Sequence, residues 1–216
     1  AESGVRADVT ELDLGLLSLS LWKGEGQPND GASYGYNCYK TGGLTYKAKV
    51  SSNSGDFRPA VYEQIYGQHR FKVASSATAD STISFDEAMR IDSSGRVTTP
   101  SQPGFWVRLN GDQTGYNPGY YNHSVIYNYK QFDVGNNVDT TTGLFTAPVD
   151  GVYIFFASAY SQTNTFSQAW FTVNGGRGLG SDFVKGTADS FVNCSISFKL
   201  SANDTVGYHP YGSGSN

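Results

Sequence analysis

The residues that most often carry out acid–base or metal chemistry are few in this chain and widely spaced. Its histidines are His69, His123 and His209, and no two of them stand three or four positions apart. Zinc sites need ligands that converge at such spacings, so we predict no metal site. The adjacent carboxylates Asp86 and Glu87 would point to opposite faces of a strand, whereas a glycosidase needs two that face each other across the sugar. The sequence therefore predicts a protein that is not an enzyme.

Other classes of function are disfavoured by composition and by absent motifs. The chain has no Gly-x-Ser-x-Gly elbow, phosphate-binding loop or dinucleotide fingerprint. Its net charge is −4 and no basic stripe occurs, so nucleic acid is not expected as a partner. No apolar run is long enough to insert into a membrane. Loop carboxylates (Asp139, Asp182, Asp189, Asp204) could bind calcium, but no spaced calcium loop supports it, and no cofactor is predicted.

Tyrosines cluster in two segments that could bind a ligand, the loop 111–124 and the terminal stretch YHPYGS. Aromatic faces beside Asn and Asp side chains can stack on sugar rings and hydrogen-bond to hydroxyls, and rigid Tyr gives contact area at little entropic cost. The alternative is that these tyrosines rim a subunit interface or cover a loop. The candidate ligand-binding residues are Tyr116, Tyr120, Tyr121, His123, Tyr208, His209 and Tyr211.

The segments that must position these residues have the sequence patterns of β-strands. The chain of 216 residues contains 26 Gly, 15 Tyr and 13 Phe and is only 16% charged, a composition typical of an all-β protein with many tight turns. In FVNCSISFKL, residues 191–200, apolar residues alternate with polar ones, and Cys194 faces inward. A disulfide with Cys38 is compatible with the sequence, but this pattern favours a buried thiol.

The chain is organised around an apolar stretch at 152–160, which follows a turn at Asp150–Gly151. Both faces of this strand are apolar, although one face of an antiparallel sandwich is normally wet. Phe155 falls on one face, and Ile154 and Phe156 fall on the other. The pattern therefore predicts that the second face meets another subunit.

A series of spaced residues in this region resembles the signature of the globular head of the complement first component's q subunit. The matching residues are Asp133, Phe145, Gly151, Tyr153 and Phe155, whereas Tyr127, Val138 and Ala157 depart from the family's aromatic or Leu positions. The resemblance implies a tumour-necrosis-factor-like jelly roll over 103–216, usually trimeric, with Phe145, Tyr153 and Phe155 in its core or trimer interface. Some members bind calcium near the trimer axis. The family adds a last inner strand, which here is either missing beyond Asn216 or replaced by another segment.

The N-terminal segment has a seam of apolar residues at heptad spacing. The seam consists of Val5, Val9, Leu12, Leu16 and Leu19. This spacing favours a short parallel coiled coil over 4–16 that brings three chains together, although fewer than three heptads with Gly15 inside are marginal alone. The competing interpretation takes LSLSLW, residues 17–22, as an alternating strand.

The remaining sequence divides the chain into three parts. We expect a trimerising coil and linker at 1–31, a β-rich shaft at 32–102 and the jelly-roll head at 103–216. The shaft's short polar strands lack large aliphatic residues, which predicts intertwining with identical chains. The phrase AMRIDSSGRVTTPSQPGF resembles the shaft-to-head junction of bacteriophage tail fibres. The chain begins with Ala1 rather than Met, which predicts a piece of something longer.

Together these features predict the receptor-binding tip of a virion tail fibre, acting outside the cell. Its expected partners are two further copies of itself, a host-surface receptor such as a polysaccharide, and other tail proteins. The alternatives are a structural protein that drives trimer assembly and a secreted bacterial lectin.

Overall fold

The computed structural model describes residues 10–22, 31–42, 44–52, 56–113, 116, 124–161, 165–176, 181–183 and 190–213. In these residues the regular structure is entirely β, with no helix, so none of the described chain forms a helix that could span a membrane. The chain divides into two units, at residues 1–101 and 102–216.

The N-terminal unit contains nine strands: β1 (Thr10–Leu14), β2 (Leu17–Trp22), β3 (Gly31–Tyr36), β4 (Cys38–Gly42), β5 (Thr45–Ala48), β6 (Ala60–Ile65), β7 (Gln68–Val73), β8 (Asp86–Ile91) and β9 (Val97–Thr98). A seven-stranded antiparallel sheet has the order β1-β2-β3-β6-β7-β8-β9, and β4 and β5 form a separate hairpin. These strands pair within one chain and enclose a small core of their own.

The coiled coil predicted over 4–16 is wrong for the described residues, because Thr10–Leu14 and Leu17–Trp22 form a β-hairpin. Gly15 has φ of +73°, a left-handed conformation that suits a tight turn and costs glycine little. The seven-residue spacing of Leu12 and Leu19 places them opposite each other across this hairpin rather than on one helix face. The strand interpretation of 17–22 is confirmed, while Val5 and Val9 lie outside the described residues.

The C-terminal unit contains the other nine strands: β10 (Gly104–Arg108), β11 (Tyr129–Val134), β12 (Val138–Asp139), β13 (Leu144–Thr146), β14 (Gly151–Ser161), β15 (Thr165–Val173), β16 (Ser181–Phe183), β17 (Ser190–Leu200) and β18 (Thr205–Ser213). One layer is the sheet β12-β13-β18-β15-β16, and the other is made of two ladders, β10·β11 and β14·β17. The unit is therefore a β-sandwich.

Phe155 on β14 lies at the centre of the core that joins these layers. Its ring centroid is 5.4 Å from that of Phe145 on β13 and 5.6 Å from that of Phe171 on β15. Phe105 on β10 also stacks on Phe145, at 5.2 Å, so both ladders pack on the same opposing sheet. Phe145 and Phe155 are buried and Tyr153 is half-buried, which places these three predicted core or interface residues in the core of one chain.

The alternation predicted for β17 is confirmed. Val192, Cys194 and Leu200 are buried and Ile196 and Phe198 are half-buried, whereas Asn193, Ser195, Ser197 and Lys199 are exposed. Cys194 and Cys38 form no disulfide and both are buried. Both thiols are therefore available as probes that react only when their unit opens.

Candidate functional site

Four of the seven predicted ligand-binding residues lie in the described chain, and the fold uses them internally. Tyr116 and Tyr208 are 8% and 2% exposed. The Tyr116 hydroxyl donates to the Pro210 carbonyl at 2.6 Å, and the Tyr208 hydroxyl donates to the Val192 carbonyl at 2.8 Å. Burial raises the pKa of Tyr116 well above its ordinary value, so its hydroxyl stays a neutral donor. These two side chains fasten neighbouring segments to β18 rather than face solvent.

His209 and Tyr211 also lie on β18, on its other face. His209 is 2% exposed, and its Nε2 is 3.0 Å from Ser124 Oγ and 3.1 Å from Thr172 Oγ1. Tyr211 is half-buried, with its ring 5.1 Å from that of Trp170. Tyr120, Tyr121 and His123 lie outside the described residues, so a ligand site that includes them remains a prediction.

The contact between Ser124 and His209 has the composition of a nucleophile with its general base, but its surroundings are closed. Trp170 beside it is 1% exposed, and a Cβ added at Gly207 would lie 2.2 Å from Ser124 Oγ. Gly207 is thus required for the segment at Ser124 to approach β18. Because His209 is buried and its Nε2 contacts both hydroxyls, we interpret this cluster as a structural clamp.

A second cluster of ionisable groups is buried in the N-terminal unit. Tyr46 donates to Glu63 Oε1 at 2.8 Å, Lys72 Nζ lies 2.6 Å from Glu63 Oε2, and Lys40 Nζ is 3.3 Å from the Tyr46 hydroxyl. Lys40, Tyr46 and Glu63 are 4%, 2% and 0% exposed. The group is sealed between the β4–β5 hairpin and the seven-stranded sheet, so it binds these layers together instead of reacting with a ligand.

The stability of this unit is expected to depend on pH through Lys40. Burial lowers the pKa of Lys40 from 10.5 to about 8, although the charge of Glu63 acts in the opposite direction. Between pH 8 and pH 10.5 the unfolded chain therefore binds more protons at this side chain than the folded chain does. The free energy of unfolding should accordingly rise with pH above 8, by at most about 1.4 kcal/mol per pH unit. Burial also raises the pKa of Tyr46 above its usual 10. Above about pH 10 the unfolded chain loses the Tyr46 proton while the folded chain keeps it, which lowers the free energy of unfolding. A rise due to Lys40 alone is therefore expected only up to about pH 10.

Urea unfolding at pH 7.5, 8.5 and 9.5, followed by circular dichroism, measures this slope. Lys40→Met should abolish the rise, and Lys47→Met, at a half-buried position in β5, is the matched control that should keep it. A slope that persists in Lys40→Met would contradict the assignment to this side chain.

An open polar depression of about 520 Å³, which we call the polar cavity, lies on the surface of the C-terminal unit. Its lining includes Lys130, Asn137, Asp139, Thr146 and Asn203, a set of amide, hydroxyl and charged groups of the kind that hydrogen-bond to sugar hydroxyls. The volume falls within the range of small-molecule sites. The sequence analysis did not predict this place, because its residues come from the short strands β11 to β13 and from turns, and no shared periodic pattern links them.

Asp133 holds the backbone beside this cavity. It accepts hydrogen bonds from Lys130 Nζ at 2.8 Å and from the backbone amides of Asn137 and Val138, both at 3.0 Å. Burial alone would raise the pKa of Asp133, but these hydrogen bonds outweigh it, and the pKa lies below its ordinary value. The carboxylate therefore stays charged at neutral pH and fixes the turn that supplies one cavity wall.

On the side away from the core, β14 presents an exposed apolar row, which together with Phe191 we call the open apolar face of β14·β17. The other β17 residues on this side, Asn193, Ser195, Ser197 and Lys199, are polar and exposed. Ile154 is 65% exposed and Phe156 79% exposed, and Tyr160 and Phe191 pair across the strands with ring centroids 4.6 Å apart. Val152 is 74% exposed. The opposite face of the same strands carries Phe155 and is buried. Both faces of β14 are thus apolar, as the sequence predicts, and within one chain only one of them is covered.

No described group of His, Cys, Asp and Glu residues has three or more members arranged to hold a metal ion. The candidate site consists of a polar cavity and an open apolar face, both in the C-terminal unit.

Comparison with known proteins identifies no family for this chain. No protein-family model matches the chain, and no curated protein matches it. Among solved structures it is similar to the globular domain of the zebrafish complement 1qA protein. The identity is 27% and the TM-score 0.39, over 51% of this chain and 85% of the other. A TM-score this low carries no argument about fold or function.

Proposed function

We propose that this chain is the receptor-binding tip of a bacteriophage tail fibre, a homotrimeric adhesin that holds a host-surface receptor without reacting with it. It acts outside the cell as part of the virion, joined to other tail proteins. The proposal is supported by the sequence resemblances to trimeric heads and to fibre junctions. One structural observation carries it, the open apolar face of β14·β17.

An apolar face of this kind is costly in water. Val152, Ile154, Phe156, Tyr160 and Phe191 are each between 46% and 79% exposed, and burying each side chain would contribute about 1.5–3 kcal/mol. Contiguous exposed apolar patches on soluble proteins usually mark interaction sites. The only charged residue that strand register places on this face is Lys199, opposite Val152. Copies of the chain can therefore pack here with little repulsion between like charges.

The polar cavity beside Asp133 is the described location best suited to the receptor. Its Asn, Thr and Asp side chains match the hydroxyls of a saccharide, and a trimer would present three such cavities. Three weak sites that act together gain avidity of roughly 10²–10⁴ over a single site through effective concentration.

Solution mass and cell binding, measured on the same variants, test the proposal. Wild type should have the mass of three chains of 23.3 kDa, and Phe156→Lys should raise the dissociation constant of this assembly and bind labelled host cells at least 100-fold more weakly. Val149→Lys changes another exposed apolar residue that precedes β14 and should alter neither result. A monomeric wild type, or a trimer that binds no host cell, would refute the adhesin.

The alternative function, a structural protein that only assembles the trimer, is favoured by the burial of Tyr116, Tyr208 and His209. Tyr120→Ala and Thr146→Tyr separate the two, since the first changes a loop tyrosine and the second fills the cavity. If either variant remains a trimer and loses cell binding, the adhesin is supported. If both remain trimers and bind unchanged, recognition lies elsewhere. A secreted lectin would bind saccharide without virion partners.

A further inference from the structure

The seven-stranded sheet of the N-terminal unit has an unusual distribution of polar residues. Its covered face, under the β4–β5 hairpin, carries Ser18, Ser20, Ser33 and Glu63, all buried. An antiparallel sheet with one wet face normally buries its apolar side and exposes its polar side. Here the covered side combines these polar residues with the buried Val61 and Ile65, so polar side chains make up an unusually large part of it.

The opposite, open face of this sheet is apolar and aromatic. Strand register places Leu19, Tyr34, Tyr62, Phe71 and Met89 opposite one another in a single row across β2, β3, β6, β7 and β8. Leu19, Tyr34 and Phe71 are 44%, 51% and 41% exposed, and the rings of Tyr62 and Phe71 stack at 4.9 Å. Further exposed apolar residues flank this row: Leu14, Leu21, Val73 and Val97. We call this surface the open aromatic face.

Charge is nearly absent from the open aromatic face. The strand registers place one carboxylate on it, Asp86 opposite Val73 at its edge, and one imidazole, His69 opposite Gln64. On β2, β3 and β6–β9 they place no Lys or Arg there, and Arg70 and Lys72 belong to the covered side. A partner with a strong charge of either sign would gain nothing at this surface. A second copy of the same surface meets it without repulsion between like charges, the condition that a self-complementary interface must satisfy.

The extent of the surface also fits association between copies. Five strands spaced about 4.8 Å apart, each about 20 Å long, present a footprint of roughly 480 Å² before side-chain relief is counted. A monomer rarely exposes a contiguous apolar patch of more than a few hundred Å², and a standard interface buries about 800 Å² per partner. This footprint is among the largest apolar patches that monomers expose, which are often functional, and it covers more than half of the area that one partner buries in a standard interface.

We propose that the open aromatic face is a self-association surface, on which the N-terminal unit packs against the same face of further copies of this chain. This goes beyond the proposed function, which places association in the C-terminal unit. The chain would then have two separate apolar contacts with its copies, one in each unit. In the assembly, other copies would cover this apolar face, so the sheet would no longer expose its apolar side to water.

Complementary charge variants of the full chain test this directly. One variant is Tyr34→Lys with Phe71→Lys, and the other is Tyr34→Glu with Phe71→Glu. Each introduces like charges where copies meet, so each alone should raise the dissociation constant of the assembly at least 100-fold in sedimentation equilibrium. Mixing the two variants should recover most of the lost association, because unlike charges then face each other.

The mixing step distinguishes an interface from a folding defect. Val50→Lys, at a position 37% exposed outside the sheet, is the control and should leave the dissociation constant unchanged. If both double variants associate as wild type does, the open aromatic face is not an interface. If both lose association and mixing restores nothing, self-packing through this face is equally refuted. The proposed function falls separately, if Phe156→Lys leaves the assembly intact.

Discussion

Replacing Phe155 by alanine is expected to lower the free energy of unfolding of the C-terminal unit by about 3–5 kcal/mol. Phe155 is 4% exposed, and its ring contacts those of Phe145, Phe171 and Phe198 at centroid distances of 5.4, 5.6 and 6.2 Å. Alanine would leave a cavity at the point where both layers meet, and the rings around it come from three different strands that cannot all move inward.

Phe156 offers a matched control for this variant. It is the next residue on the same strand, it has the same side chain, and it is 79% exposed on the opposite face. Phe156→Ala should change the stability of a single chain by less than about 0.5 kcal/mol and should weaken self-association instead. Pulsed labelling of the buried Cys194 thiol in urea reports opening of this unit specifically. Equal losses of stability in the two variants would contradict the assignment of the two faces.

The second large effect is expected at Glu63. Glu63→Ala should destabilise the N-terminal unit by about 3–5 kcal/mol, because it leaves the buried charge of Lys40 and the nearby charge of Lys72 without their counter-charge. The Tyr46 hydroxyl, 2.8 Å from Glu63 Oε1, would lose its acceptor as well. Labelling of Cys38, which is 0% exposed, follows this unit.

Glu87→Ala is the control for Glu63→Ala. Glu87 also lies in the seven-stranded sheet and forms an ion pair with Arg90 at 2.8 Å. That pair is partly exposed, so Glu87→Ala should cost no more than about 1 kcal/mol. Glu63→Met, which replaces the charge by an apolar group of similar length, still leaves both lysines unpaired and should remain costly. Full stability in Glu63→Met would show that the carboxylate is dispensable.

Where local periodicity dominated, the sequence predicted the structure well. The alternation placed the side chains from Val192 to Leu200 on their correct faces, and the two apolar faces of 152–160 are those seen on β14. In both strands the period of two follows from the extended backbone itself. The same reasoning failed at Leu12 and Leu19, because a spacing of seven fits both a helical seam and a pair across a short hairpin.

The candidate site was less accessible to sequence reasoning. Tyr208 and His209 resemble surface ligands in a terminal segment rich in Gly and Tyr, yet contacts with Val192, Ser124 and Thr172 bury them. These partners are between 16 and 85 positions away in the chain. No local sequence pattern indicates such contacts. Segments far apart in the sequence therefore determined whether an aromatic residue faces a ligand or the core.

By itself, then, the sequence determined the all-β class, the strands with clean alternation and the two apolar faces of β14. These properties depend on near neighbours, through backbone geometry and side-chain periodicity. Only the tertiary structure decided that Ser18, Ser20 and Glu63 lie on the covered side of their sheet while Tyr34 and Phe71 lie on the open side. The reason is physical: alternation separates two faces of a strand but does not say which face the rest of the chain will cover. In this chain the β4–β5 hairpin covers the face that carries Glu63, because it places Tyr46 and Lys40 against that side chain.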